Sequence, residues 1–166
     1  MAKKTRTSGG TPATMTLDRA GIAFTVHAYE HDPAAASYGL EAAEALGLHP
    51  EVVFKTLLVD ADGELVVGVV PVVAQLDLKA LAAALGAKKA VMADPALAAR
   101  VTGYVVGGIS PVGQKKRLRT VLDDSALRHD RVYVSGGRRG LDIGLRPDDL
   151  VTATGALTAS ISRSRP

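Results

Sequence analysis

A lysine stands among aliphatic residues in Phe54-Lys55-Thr56-Leu57-Leu58-Val59. Side chains alternate faces along a strand, so Lys55 shares its face with Leu57 and Val59. An ammonium group buried there without a partner is costly. Either it snorkels to water near the strand's start, or it faces a pocket where it meets a carboxylate or phosphate. Leu141-Asp142-Ile143-Gly144-Leu145 shows the same anomaly with the opposite charge. Leu141, Ile143 and Leu145 fill one face, while Asp142 and Gly144 take the other. The glycine leaves room beside Asp142 for a ligand or a close backbone, and Asp142 can pair with Lys55. The bland alternative is an edge aspartate facing solvent. A third feature is Gly107-Gly108-Ile109-Ser110-Pro111, which follows an apolar run. Paired glycines let a backbone approach a ligand and turn amide N–H groups toward it. Such amides can hold an oxyanion, and one good donor is worth about 3 kcal/mol of barrier. A plain turn is the alternative. Ser135-Gly136-Gly137 is a similar loop with the same two readings.

Other chemistry is weaker. Lys115, Lys116, Arg117 and Arg119 form a basic run after the glycine loop, with Lys88, Lys89, Arg138 and Arg139 in smaller groups. Gathered in space they make a rim for a phosphate backbone; scattered, they are a solvated surface. The histidines, His27, His31, His49 and His129, fall in no metal-ligand spacing, so no metal and no cofactor is expected. The glycine loops match neither a P-loop nor a dinucleotide fingerprint, and no Gly-x-Ser-x-Gly elbow is present. The chain has no cysteine, which removes disulfides, thiolate metal sites and a cysteine nucleophile together.

The elements that must position these residues follow from periodicity and punctuation. Helices are predicted at Met15 to Ala20, Tyr38 to Leu46, Leu78 to Leu85, from Asp94-Pro95 onward, and Pro147 to Thr154. Strands are predicted at Ile22 to Tyr29, Phe54 to Val59, Glu64 to Val70, Lys89 to Met92, Tyr104 to Val106, Arg119 to Leu122, Arg131 to Val134, Leu141 to Leu145 and Leu157 to Ile161. Asp60-Ala61-Asp62-Gly63 turns one hairpin. Strands outnumber helices and interleave irregularly, which predicts an α/β (α+β) domain with a curved mixed sheet rather than a regular βαβ repeat.

The chain's 166 residues suit one domain. With 47% hydrophobic and only 4% aromatic residues, the core must be aliphatic. Residues 1–13 read as a flexible basic tail without a secretory apolar region, 14–162 as one domain, and 163–166 as a tail. No apolar run approaches the roughly 20 residues that span a bilayer. A net charge of +3 is compatible with a polyanion partner and weak evidence for one.

Four segments, in this order, resemble the YbaK family, free-standing relatives of the editing domain inserted in some bacterial prolyl-tRNA synthetases. They are Tyr29-Glu30-His31-Asp32-Pro33; Val53-Phe54-Lys55-Thr56-Leu57-Leu58; Gly103-Tyr104-Val105-Val106-Gly107-Gly108-Ile109-Ser110-Pro111 with Gly113-Gln114-Lys115-Lys116; and Ser135-Gly136-Gly137-Arg138-Arg139-Gly140-Leu141-Asp142-Ile143. Each is weak alone and the set is specific; the resemblance spans about residues 16 to 162. It implies a barrel-like mixed sheet flanked by helices. It also implies hydrolysis of the ester joining a mischarged amino acid to the 3′-terminal adenosine of tRNA. The subclass with the Gly-Gly-Ile-Ser-Pro loop clears cysteine from tRNA(Pro).

Carried over by position, the resemblance places Tyr29, Lys55, Gly107, Ser135 and Asp142 in the pocket, and Lys55, Gly107 and Asp142 are the expected catalytic residues. Tyr29, Thr56, Gly108, Ile109, Ser110, Ser135 and Gly136 are expected to bind substrate. Lys115, Lys116, Arg117, Arg138 and Arg139 are the tRNA-backbone candidates. Arg138 and Gly144 stand where the family often has Lys and Glu. The resemblance further implies a substrate-assisted reaction, in which the cysteine thiol or the adenosine hydroxyl attacks the carbonyl. Cyclisation of the cysteine would make it a lyase. The expected partners are tRNA and prolyl-tRNA synthetase, for a monomer in the cytoplasm. A non-catalytic tRNA or nucleotide-binding module, a deacylase preferring Ala-tRNA(Pro), and a Schiff-base enzyme using Lys55 are the alternatives.

Overall fold

The computed structural model describes residues 10–35 and 37–164. Five helices lie at α1 (Pro12–Ala20), α2 (Tyr38–Leu46), α3 (Leu78–Leu85), α4 (Pro95–Thr102) and α5 (Pro147–Thr154). Ten strands accompany them: β1 (Thr25–Ala28), β2 (Phe54–Ala61), β3 (Glu64–Pro71), β4 (Ala74–Leu76), β5 (Ala90–Met92), β6 (Thr120–Asp123), β7 (Val132–Arg138), β8 (Leu141–Leu145), β9 (Leu157–Ala159) and β10 (Ser162–Ser164).

The strands form three sheets: β5-β2-β3-β6-β9, β1-β8-β7 and the pair β10-β4. Pairing is mixed, since β6 runs parallel to β3 and β9 while β2 is antiparallel to β3 and β5. The expected mixed α+β domain is present, divided among these sheets instead of closed into one barrel. The sheet faces hold the aliphatic core. Phe54, Leu58, Leu122, Val134, Ile143 and Leu145 meet in one cluster. Val59, Val66, Val70, Val121 and Ile161 meet in another.

Several boundaries differ from the sequence expectation, each for a local reason. Helix α1 starts at Pro12 because Thr11 caps it reciprocally with Thr14. Ala13 is fully buried, so the folded part reaches into the expected N-terminal tail, of which residues 1–9 lie outside the described residues. At the other end, residues 162–164 pair with β4 and so belong to the sheet. The run Tyr104 to Val106, expected as a strand, is a turn. Tyr104 alone is buried, its hydroxyl donating to the Val112 carbonyl at 2.7 Å, while Val105 and Val106 stay out of the core. Strand β2 runs on to Ala61, so the hairpin turns on Asp62-Gly63 alone, both with positive φ.

Candidate active site

Near its start β2 touches β7 through an isolated parallel bridge, Val53 to Tyr133. Beyond it the two strands separate, and between them lies a cavity of about 450 Å³. Residues 54–58 of β2 form one wall, Ser135 and Asp142 another, and Val106, Gly107 and Ile109 a third. Tyr29 and Tyr38 stand at the side of β1 and α2. Four stretches far apart in the sequence thus meet in one space.

The three-stranded sheet sets the register of the acidic wall. Asp142 lies opposite His27 on β1 and Ser135 on β7, so these three side chains share one face. Leu141, Ile143 and Leu145 point into the core, as the alternation required. Asp142 is 5% exposed, and burial pushes its carboxyl up to about 7. The Tyr29 hydroxyl is pushed up to about 12, first by burial, then by the nearby Asp142 and Glu41 carboxylates. Beside Asp142 there is no spare room: a Cβ on Gly144 would sit 2.6 Å from the Tyr133 ring and 2.8 Å from the Thr25 hydroxyl. The space expected there is filled by the protein itself.

The glycine loop is shaped by two close approaches. Gly107 has φ of 87° and lies under the Tyr38 ring, 2.7 Å from where a Cβ would be. Gly108 packs on the backbone of Arg138 and Arg139, and its N–H donates to the Val105 carbonyl at 2.9 Å. Arg139 seals this corner. Its guanidinium lies 5.3 Å over the Tyr38 ring, and its Nε donates to the Val106 carbonyl at 2.8 Å. His31 also approaches Tyr38 ring to ring at 5.5 Å, and its Nδ1 lies 2.9 Å from Glu41 Oε1. The Asp32 N–H donates to the other Glu41 oxygen. The hydrogen bonds around His31 therefore centre on Glu41.

Of the residues singled out in the sequence, Tyr29, Lys55, Thr56, Gly107, Ile109, Ser135 and Asp142 line the cavity. Gly108, Ser110 and Gly136 do not. Ser110 is fully buried in the turn, its Oγ accepting from the Val112 N–H at 3.2 Å. Gly136 packs on Leu141 within the bulged end of β7. Arg138 and Arg139 lie exposed beside the glycine loop, and Lys115 and Lys116 lie exposed further along it. Arg117 turns away, lining a separate cavity of about 190 Å³ and resting against Gly155. Tyr38 was missed, as were the apolar wall residues Met92, Pro95 and Ala98. Tyr38 opens a helix, and nothing in its spacing distinguishes it from a core aromatic. Among the described residues no group of three or more His, Asp or Glu side chains is placed to hold a metal ion.

The chain matches the model of the aminoacyl-tRNA editing domain over residues 32–153, which covers most of its length and nearly all of this cavity's wall. It belongs to the aminoacyl-tRNA editing domain family. A relative from Enterococcus faecalis, described as the Cys-tRNA(Pro)/Cys-tRNA(Cys) deacylase EbsC, is 40% identical over 121 residues, 72% of this chain and 74% of its own. Two solved structures share the fold. One, described as a trans-editing enzyme for prolyl tRNA synthetase, is 25% identical with a TM-score of 0.81, covering 92% of this chain and 96% of its own. The other, a hypothetical protein, is 27% identical with a TM-score of 0.82, covering 92% of this chain and 99% of its own. In this editing domain the family match and the cavity coincide: the matched span includes every lining residue except Tyr29.

Proposed function

We propose that this protein is a trans-acting aminoacyl-tRNA deacylase that hydrolyses the ester of mischarged tRNA, with Cys-tRNA(Pro) as substrate. The observation that carries the reading is the joint placement of Lys55, Asp142, Tyr29, Gly107 and Ser135 around one cavity. The deacylase named among its relatives supports the choice of substrate.

Ester hydrolysis needs a nucleophile and a place for the oxyanion. The chain has no cysteine, and the Ser135 hydroxyl is held locally, accepting from the Gly137 N–H at 3.1 Å. His27, the imidazole on the same face, is turned to the Thr25 hydroxyl at 2.7 Å. This arrangement favours a nucleophile belonging to the substrate, its thiol or ribose hydroxyl, with the protein supplying position and field. In that reading Lys55 holds the phosphate or ribose next to the ester. The Gly108 amide is committed to its turn, so the amides of Gly107 and Ile109 stabilise the oxyanion. Asp142 orients the ammonium groups in the cavity, and Tyr29 and Ser135 fix the adenosine end. Arg138, Arg139, Lys115 and Lys116 steer the tRNA backbone. The protein acts in the cytoplasm as a monomer, with prolyl-tRNA synthetase as a partner that supplies tRNA identity.

A synthetase site that admits proline rejects similar or smaller amino acids by only about 1–3 kcal/mol, so a second, hydrolytic site adds the missing discrimination. The test is single-turnover deacylation of Cys-tRNA(Pro). Lys55→Ala is expected to slow it about a hundredfold. Full activity in that variant removes Lys55 from its role. A wild type inert toward Cys-, Ala- and Ser-charged tRNA sinks the enzyme reading.

A further inference from the structure

Strand β2 has one edge that is only partly covered, and Thr56 sits in the gap. On the covered side the Val53 carbonyl accepts from the Val72 N–H, so Val53 and Val72 form a hydrogen-bonded pair. Antiparallel pairs alternate between bonded and non-bonded. With Lys55 opposite Val70, Thr56 opposite Val69 and Leu58 opposite Val67, the odd-numbered residues of β2 bond to β3 and the even-numbered ones turn the other way. Two observations agree. The Leu58 carbonyl accepts from the Ala93 N–H on the β5 side, and the partner of Phe54 is Pro71, which has no N–H to give.

Strand β5 pairs with β2 only from Val59 to Ala61, and the contact with β7 ends at the Val53–Tyr133 bridge. Between them Thr56 is paired with neither β5 nor β7, and its N–H and C=O, turned away from β3, face the cavity across from Ser135 and Asp142. The Thr56 hydroxyl adds to this. It is the buried side-chain polar atom without any hydrogen-bond partner among the described residues. Buried polar groups are almost always satisfied, so a donor, an acceptor and a hydroxyl left open at one point of a cavity wall mark a place where a ligand completes the bonding.

We propose that this free edge of β2 at Thr56 recognises the main-chain part of an α-amino acid ester. The ester carbonyl accepts from the Thr56 N–H on one side and from the Gly107 and Ile109 amides on the other, and the α-ammonium donates to the Thr56 C=O, with Asp142 across the cavity as its counter-charge. The substrate's α-amino acid unit thereby adds to the strand as a short piece of backbone would. Recognition of this kind is indifferent to the side chain. It demands a free α-amino group, and selection among amino acids is left to the cavity's apolar wall. The inference deepens the deacylase reading and rests on it for the identity of the ligand.

Binding of non-hydrolysable 3′-aminoacylamino-adenosine analogues by the full chain tests it without turnover. Wild type is expected to bind the cysteinyl analogue at least about tenfold more tightly than the des-amino 3-mercaptopropionyl analogue, the worth of one charge-assisted hydrogen bond. Thr56→Pro removes the edge N–H at a position where proline leaves the β3 ladder intact. With a melting curve showing the fold retained, it is expected to weaken both analogues by a similar factor, because both carry the carbonyl that the N–H holds. Thr56→Val, which removes the hydroxyl alone, is expected to weaken the cysteinyl analogue by a smaller factor, with Thr56→Ser restoring it. Equal binding of the two analogues by wild type overturns the proposal, as does a folded Thr56→Pro variant that binds both as tightly as wild type. Amino-dependent binding without any deacylation by wild type leaves this recognition standing and removes the deacylase reading.

Discussion

Asp142 is nearly sealed from water, and its carboxyl is pushed from 3.8 up to about 7 by burial. Folding therefore changes its proton affinity, and linkage turns that change into a dependence of stability on pH. The raised pKa belongs to the folded state. Between about pH 4 and 7 the folded chain keeps a proton that the unfolded chain has released, so stability falls as pH rises through this window and is flat above it. A rise of about 3 units, at about 1.4 kcal/mol per unit, puts the loss near 4 kcal/mol. Asp142→Asn keeps the shape and cannot ionise. Urea denaturation of both proteins at pH 4.5 and pH 8, fitted with a common slope, isolates the group, because every other titration cancels in the comparison. The Asn variant is expected to gain on wild type by about 3–4 kcal/mol as pH goes from about 4.5 to 8. Parallel curves for the two proteins would refute the reasoning. They would mean that a partner or water in the cavity compensates the charge of Asp142.

Gly107→Ala places a methyl group at φ of 87° and 2.7 Å from the Tyr38 ring, so a loss of about 1–3 kcal/mol is expected in the same assay; an unchanged midpoint would contradict this geometry. Arg139→Ala gives up the hydrogen bond to the Val106 carbonyl and the contact over Tyr38, at a cost of about 1 kcal/mol at this exposed site, and is expected to flatten the salt dependence of KM for charged tRNA. The slope should drop by about 0.7 for one phosphate contact on a single strand, and an unaltered slope would take Arg139 off the tRNA path. Ser110→Ala removes the acceptor for the Val112 N–H in a fully buried turn, at a cost of about 1 kcal/mol. Deacylation per folded molecule should not change, and a selective loss of activity would return Ser110 to the site.

Alternation along β2 and β8 was legible because a charge on a period-two apolar run has only two explanations. At Asp142 the sequence allowed pocket or solvent, and burial in a three-stranded sheet decides for the pocket. The glycine loop was legible as a close approach, but what it approaches was not: Gly107 yields to Tyr38 and Gly108 to the Arg138 backbone. These neighbours come from segments about 30 to 70 positions away, beyond any local pattern. Ser110 and Gly136 share motifs with residues that line the cavity but do not line it themselves: Ser110 accepts within its own buried turn, and Gly136 packs on Leu141 in β7. The strand expected at Tyr104 to Val106 failed because an apolar triplet reads the same whether one residue is buried or three. The open edge at Thr56 was invisible for another reason. It depends on where β5 stops and β7 diverges, which is a property of sheet pairing and not of β2.

The pairing of β1 has a consequence for how the chain acquires its site. Thr25 bonds to Gly144, 119 positions later, so β1 has no partner until β8 exists. Such distant pairings slow folding, because the closure of a long loop must precede the contacts that reward it. During synthesis the first strand and Tyr29 behind it wait while the β2–β3 hairpin can already form. When β8 arrives it inserts between β1 and β7 and brings Asp142 with it. The last step of closing the sheet and the first moment of having both walls of the cavity are then the same event, so a partly made chain holds no half-active pocket.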